Sequence, residues 1–303
     1  MERGHNLAAD MEAAGVAKEG ARPGPVEMQS VSGDAVIIVN ADDWGLNAEN
    51  TERIFKCACA GVLSSVSAMV FMDVSESSAA LAREHGVDAG VHLNFTTEFT
   101  GSDIPPVLRD HHRRVISYLR RRRIFRALFN PLLMNSFDYV AKAQLEEFAR
   151  LYGAAPRHLD GHHHMHLCAN VLLQKLLPEG AMVRRSKSSL SGERSLADLC
   201  YRGVQDRMVR RRHQTAEYFF DLLPIEHERL KRILELSREA DVELSVHPSS
   251  EEEFHFLMNA ELGRYADRVV IARDYRLRSQ GARLDEPVRD TTGGDAGSGA
   301  THA

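Results

Sequence analysis

The sequence predicts an α/β fold built on a parallel sheet, closed as a (β/α) barrel or open and doubly wound. Three observations predict it. Short β-branched apolar runs alternate with longer helical patterns. The first run, AVIIVN at 35–40, is unbroken, as a strand covered on both faces requires. Polar clusters stand where the runs end, the place where loops of such folds converge on ligands.

The units follow in order. After 35–40 comes a helix-like segment at 48–60, then LSSVSAMV at 63–70, a helix near 76–85 and DAGVHLN at 88–94. Further on, a helix at 141–152 leads into RHLD at 157–160, and a helix at 226–240 leads into VELSVH at 242–247. With 303 residues, 43% of them hydrophobic, the chain can bury one large core. One catalytic domain at 34–281 is expected between mobile tails at 1–33 and 282–303. Both tails are low in large apolar residues, and the second ends TTGGDAGSGATHA. An Arg-rich insertion at about 105–135 contains RDHHRRVISYLRRRRIFR, with eight arginines in 109–126. It has few aromatics on which bases could stack, so a helix with a solvated basic face is expected rather than an RNA-contacting patch.

The net charge of −5 supplies no global attraction to nucleic acid. Cys57, Cys59, Cys168 and Cys200 form neither a C-x-x-C pair nor a disulfide framework, which suits a reducing compartment. The first 30 residues hold no continuous apolar core, and no stretch approaches about 18 apolar residues, so a soluble cytoplasmic protein without a transmembrane segment is expected. A homodimer is left open.

Four polar clusters carry the chemistry: N-A-D-D-W-G (40–45), G-V-H-L-N (90–94), H-L-D-G-H-H-H-M-H (158–166) and S-V-H-P-S (245–249). Asp42 and Asp43 place two charges at a strand end, costly unless a cation or a shared proton relieves them. Alternatively, one caps the helix starting near Asn47 and the other is solvated. His92, between Val91 and Leu93, is by itself more often a satisfied core histidine than a ligand. The third cluster changes the balance, because five of fifteen histidines fall in nine positions. A nonspecific metal-binding loop is one explanation; a divalent ion held by one or two imidazoles, with the others orienting ligands and substrate, is the better one. An Asp with two His leaves coordination positions open, as hydrolysis requires. His247, before Pro248, can protonate a leaving nitrogen, or can be a capping or buried structural histidine. No G-x-G-x-x-G follows a strand, and neither G-x-x-x-x-G-K-[ST] nor G-x-S-x-G occurs.

In order and spacing these clusters, together with S-S-V-S-A-M-V and E-L-S-V-H-P, resemble the YdjC-like carbohydrate deacetylases over about residues 35–280. That family includes chitooligosaccharide deacetylases and a hopanoid-pathway branch. The resemblance implies a distorted TIM-type (β/α) barrel-like fold related to polysaccharide deacetylases, holding one divalent ion, magnesium or zinc. It implies Asp43, His92 and His162 as metal ligands, Asp42 as general base and His247 as general acid. Asp160 and His164 fall in the same motif and are assigned to the substrate, as is Trp44, which stands where the family usually has Phe and would give a sugar ring an aromatic wall. Ser249 replaces the usual Gly after His-Pro. The implied activity is removal of an N-acetyl group from an acetylated amino sugar, a chitooligosaccharide or a sugar-lipid such as a hopanoid or glycolipid. Two alternatives remain. A metal-dependent phosphoesterase would want a second carboxylate cluster for a second ion, and none is evident. A catalytically inactive carbohydrate-binding homologue would have no need of Asp42 beside Asp43.

Overall fold

The structure, a computed structural model, describes residues 35–190, 195–265 and 268–278. The expected tails at 1–33 and 282–303 lie outside the described residues. The chain runs β1 (Ala35–Trp44), α1 (Ala48–Cys59), β2 (Ser65–Ala68), α2 (Ser75–Glu84), β3 (Ala89–Leu93), α3 (Pro106–Arg121), α4 (Met134–Tyr152), β4 (His158–Gly161), α5 (Ala169–Gln174), β5 (Met182–Val183), α6 (Leu196–Arg210), β6 (Tyr218–Asp221), α7 (His227–Leu236), β7 (Val242–Val246), α8 (Glu251–Met258) and β8 (Val269–Ile271).

Every strand pair is parallel, in the order β5-β4-β3-β2-β1-β7-β6. β8 pairs with the first residues of β1, Ala35 to Ile37, ahead of the point where β2 begins to pair at Asn40. Among the described residues the edge strand β5 and the segment leading into β6 approach through an isolated bridge, Met182 to Gln214, and a Ser188 N–H bond to the Phe219 carbonyl of 2.7 Å. The expected barrel-like α/β fold is therefore the one adopted, distorted at this seam. Its core is apolar and fully buried, with Ile37, Val39, Val66, Val91, Leu244 and Val246 each at 0% exposure. Helix α1 turns Ile54, Phe55 and Cys57 onto this sheet. All four cysteines are free. Among the described residues no helix is long and apolar enough to cross a membrane.

Several boundaries differ from expectation. β1 continues past Asn40 to Trp44, because its later residues pair with β2 across an irregularity between Ala41 and Trp44. Helix α4 begins at Met134, seven residues earlier than the apolar spacing suggests, led in by a 3-10 turn at Pro131–Leu133 with Asn130 accepting from the Leu132 N–H. Helix α7 ends at Leu236, where the Ser237 hydroxyl turns back onto the Leu234 carbonyl at 2.8 Å. The Arg-rich insertion forms α3 with Pro106 in its first turn, burying Leu108, Val115, Ile116 and Leu119 and leaving arginines outward. Gly90 on β3 is required by packing: a Cβ there would collide with the His158 ring and carbonyl on β4.

Candidate metal centre

β1, β3, β4 and β7 are neighbours or near neighbours in the sheet, so the residues at their carboxyl ends meet. At the end of β1, Asp43 takes φ 68°, a left-handed conformation that a non-glycine residue holds only where surroundings enforce it. The resulting irregularity breaks ordinary strand alternation and lets the two neighbouring carboxylates do different things. Asn47, whose side chain accepts from the Asn50 N–H at 2.9 Å, caps α1, so neither Asp42 nor Asp43 is the cap. Gly45, at φ 80°, completes the turn; a Cβ there would meet the Ser78 hydroxyl at 2.9 Å.

The Asp43 carboxylate faces two imidazoles. Its Oδ1 lies 2.8 Å from His162 Nδ1 and 3.4 Å from His92 Nε2. The three donor atoms lie within 4.8 Å of one another, yet buried Oδ1 finds no partner in good hydrogen-bond geometry. Atoms that converge without bonding one another are aimed at a shared point, which fits one cation with N,N,O donors. Burial alone would raise the Asp43 pKa, but the close approach of the His162 and His92 imidazoles holds it well below the usual carboxylate range.

His92 is oriented from behind. Its Nδ1 lies 2.7 Å from Asp160 Oδ1, and a carboxylate there fixes the proton on Nδ1 and leaves the Nε2 lone pair free toward Asp43. Asp160, on β4, is 1% exposed and also accepts from the Ser67 hydroxyl at 2.8 Å. It has no exposed surface to offer a substrate; the residue assigned to the sugar instead orients His92. Trp44 needs the same correction: it is 0% exposed, part of the core, and presents no wall to a ligand. His164 is half-buried, its ring edge-on to Phe219 at 5.6 Å, and with His163 it lines a cavity of about 430 Å³ beside the cluster formed by Asp43, His92 and His162. The rest of the histidine run divides by role. His163 Nδ1 meets the Thr96 hydroxyl at 2.9 Å, buried His166 donates from Nε2 to the Arg184 carbonyl at 2.9 Å, and His158 stacks on Tyr275 in the core.

Arg184, just past β5, is a buried residue of the candidate site that the sequence does not disclose. It is 1% exposed and lies over the Phe219 ring. Its guanidinium grips Asp42 with two bonds of 2.7 and 2.8 Å, reaches Asp160 Oδ2 at 2.6 Å and donates from Nε to Glu243 at 2.7 Å. In the sequence it is one basic residue in a run, V-R-R-S-K; the only hint is its place directly after an apolar pair. Glu243 was legible as a charge inside the buried run VELSV. Burial pushes the Glu243 pKa up to about 7 against the opposing pull of Arg184, and the Tyr275 hydroxyl donates to its other oxygen at 2.7 Å. Burial would raise the Asp42 pKa as well, but Arg184 holds it low. Asp42, His92 and Asp160 also form a close acidic group, but Arg184 already occupies its carboxylates. Among the described residues, Arg184 thus supplies the positive charge that a second ion would otherwise bring to these carboxylates.

His247 follows β7, with its side chain 38% exposed and Nε2 3.7 Å from Asp42 Oδ2. Glu253, buried at the start of α8, accepts from the His247 N–H at 2.7 Å. Ser249 has no positive φ, so replacing glycine imposes no strain.

Fold and site together define a class: a barrel-like α/β protein with a candidate single-ion site, one carboxylate and two imidazoles, at the carboxyl ends of its strands. The chain belongs to the YdjC-like protein family, whose sequence profile matches residues 36–275. It is similar to a carbohydrate deacetylase of Mus musculus, 31% identical over 140 residues, which cover 45% of this chain and 44% of that one. It is also similar to a chitooligosaccharide deacetylase of Serratia marcescens, 30% identical over 135 residues, covering 44% and 51%. The matches thus span about half the length of these curated relatives. A crystal structure from Enterococcus faecalis V583, provisionally described as a cellobiose-phosphate cleavage protein, superposes with a TM-score of 0.59 over 79% of this chain and 98% of that one. At 18% identity it shares the fold.

Proposed function

We propose that this protein is a carbohydrate N-deacetylase that hydrolyses the amide of an acetylated amino sugar, free, oligomeric or lipid-linked. The observation that carries the reading is the convergence of Asp43, His92 and His162 beside a second, separately held carboxylate and an accessible histidine. The names of the similar proteins supply the substrate class. Asp43, His92 and His162 would hold one divalent ion, magnesium or zinc. Such an ion supplies Lewis-acid polarisation of a carbonyl and lowers the pKa of bound water.

The chain's own residues supply the proton transfers. Water adds to the acetyl carbonyl, the C–N bond breaks, and acetate and a free amine result. Asp42 accepts the proton that water loses. Arg184 keeps that carboxylate ionised and fixed, so the base is present without reorganisation. His247, the more exposed partner, delivers a proton to the departing nitrogen, since an unprotonated amine leaves a tetrahedral carbon poorly. Its Nε2 lies near Asp42 Oδ2, so base and acid border the same space. His164, which lines the neighbouring cavity, would contact the sugar.

The test is acetate release from a panel of N-acetylated sugars and sugar lipids with metal-replete protein. Release that a chelator stops and added metal restores is expected. Protein that carries metal and releases no acetate from any substrate would refute the reading.

A further inference from the structure

Among the described residues, nine of thirteen exposed large apolar side chains fall in two short stretches, 124–134 and 196–204. Single exposed apolar residues are ordinary; this clustering is not. In the first stretch Ile124 is 56%, Leu128 46% and Leu132 90% exposed. In the second, Leu196 is 81%, Leu199 44% and Val204 59% exposed. All three are on α6, whose buried residues, Asp206 and Val209, lie in its C-terminal half, and the apolar side chains ahead of them are exposed.

The two stretches flank one opening. The cavity holding His163 and His164 is lined by Arg123 and Arg126 on one side and by Tyr201 and Gln205 of α6 on the other. Charge reinforces the pattern. Residues 105–135 contain eight arginines and one acid, Asp110, in a chain of net charge −5. Arg120, Arg121, Arg122 and Arg123 are all exposed, and none makes an ion pair among the described residues. A 3-10 turn, Arg123–Arg126, sets the last two guanidiniums three residues apart and hence on one face.

We infer that this face docks on the surface of an anionic lipid bilayer. Apolar side chains beside unpaired arginines are the composition that binds such an interface, the former at the headgroup boundary and the latter on lipid phosphates. A second copy of the chain fits poorly, because a self-complementary contact would set arginine clusters of equal sign together. Docked this way, the cavity mouth opens at the headgroups. The inference concerns a surface and no catalytic residue, so it stands or falls apart from the deacetylase reading.

The test is co-sedimentation of the full chain with vesicles of phosphatidylglycerol and phosphatidylcholine, against phosphatidylcholine alone. Binding to the anionic vesicles, weakened by salt, is expected. Replacing Arg120, Arg121 and Arg122 together by Ser should weaken it by about a hundredfold, at about fivefold per arginine. Leu132→Ser should weaken it by about tenfold. Melting temperature and metal content should not change in either variant. Three results would overturn the inference: binding to both vesicles alike or to neither; variants that bind as the parent does; or a dimer that Leu132→Ser dissolves, or retention of an RNA oligonucleotide, in a protein that ignores vesicles.

Discussion

Asp160→Asn changes one atom behind the candidate metal site, and the structure fixes the direction of its effect. Asp160 Oδ2 receives two donors, Arg184 Nη1 at 2.6 Å and the Ser67 hydroxyl at 2.8 Å, whereas Oδ1 faces only His92 Nδ1 at 2.7 Å. An asparagine must place its single oxygen somewhere. The charged donor and the hydroxyl together outbid one imidazole, so the oxygen takes the Oδ2 position and the NH₂ takes the Oδ1 position. That NH₂ donates to His92 Nδ1, which drives the ring proton onto Nε2, the atom directed at Asp43. A protonated Nε2 cannot ligate. Loss of such a supporting carboxylate costs about 10- to 100-fold in metal affinity, and the forced tautomer puts this variant at the upper end, about 100-fold or about 2.7 kcal/mol. The assay is zinc competition against a chromogenic chelator, with melting recorded alongside, since the variant also removes one of three carboxylates around Arg184 and need not lower stability. Asp160→Asn that melts normally and binds zinc within about twofold of the parent would refute the orientation argument.

Asp42→Asn should keep metal and lose turnover by about 10²-fold or more, while Asp43→Asn should lose the metal itself; paired metal analysis and acetate release separate the two. His247→Ala should also keep metal and slow acetate release, and full activity would remove it as the acid. Arg184→Met leaves Asp42, Asp160 and Glu243 buried without a counter-charge, so denaturant unfolding should show a loss of about 3–5 kcal/mol. Burial pushes the Glu253 pKa from 4.5 up to about 7, against the His247 N–H bond that lowers it. Because the folded value lies above the unfolded one, its contribution to stability is complete below about pH 4.5 and is lost as pH rises through about 7. Glu253→Gln should remove that decline, so its melting temperature relative to the parent should rise across this window; parallel curves would show that the carboxyl titrates normally.

Much of the fold follows from local pattern. The unbroken run at 35–40, the helix at 48–60 and the polar residues closing each strand are one-dimensional signals of a parallel sheet with its ligands at one end. The same signals brought Asp43, His92 and His162 together, because strand-end residues of neighbouring parallel strands share a mouth whatever lies between them in sequence. What spacing does not encode is which way each side chain turns. Asp42 and Asp43 are adjacent letters, and only the left-handed backbone at Asp43 separates their carboxylates into one facing two imidazoles and one facing Arg184. Trp44 and Asp160 carry the residue types of a sugar site, yet the closeness of β1 to β2 and of β3 to β4 buries both. Arg184 lies 142 positions from the aspartate it grips, and a lone arginine in a basic run carries no trace of three partners supplied by three other strands. The sequence by itself determined the strands, their polar ends and the residue types of a candidate metal site. Tertiary packing decided which of those residues converge, which orient them from behind and which are core, because desolvation and pairing of charge depend on neighbours that only the folded chain assembles.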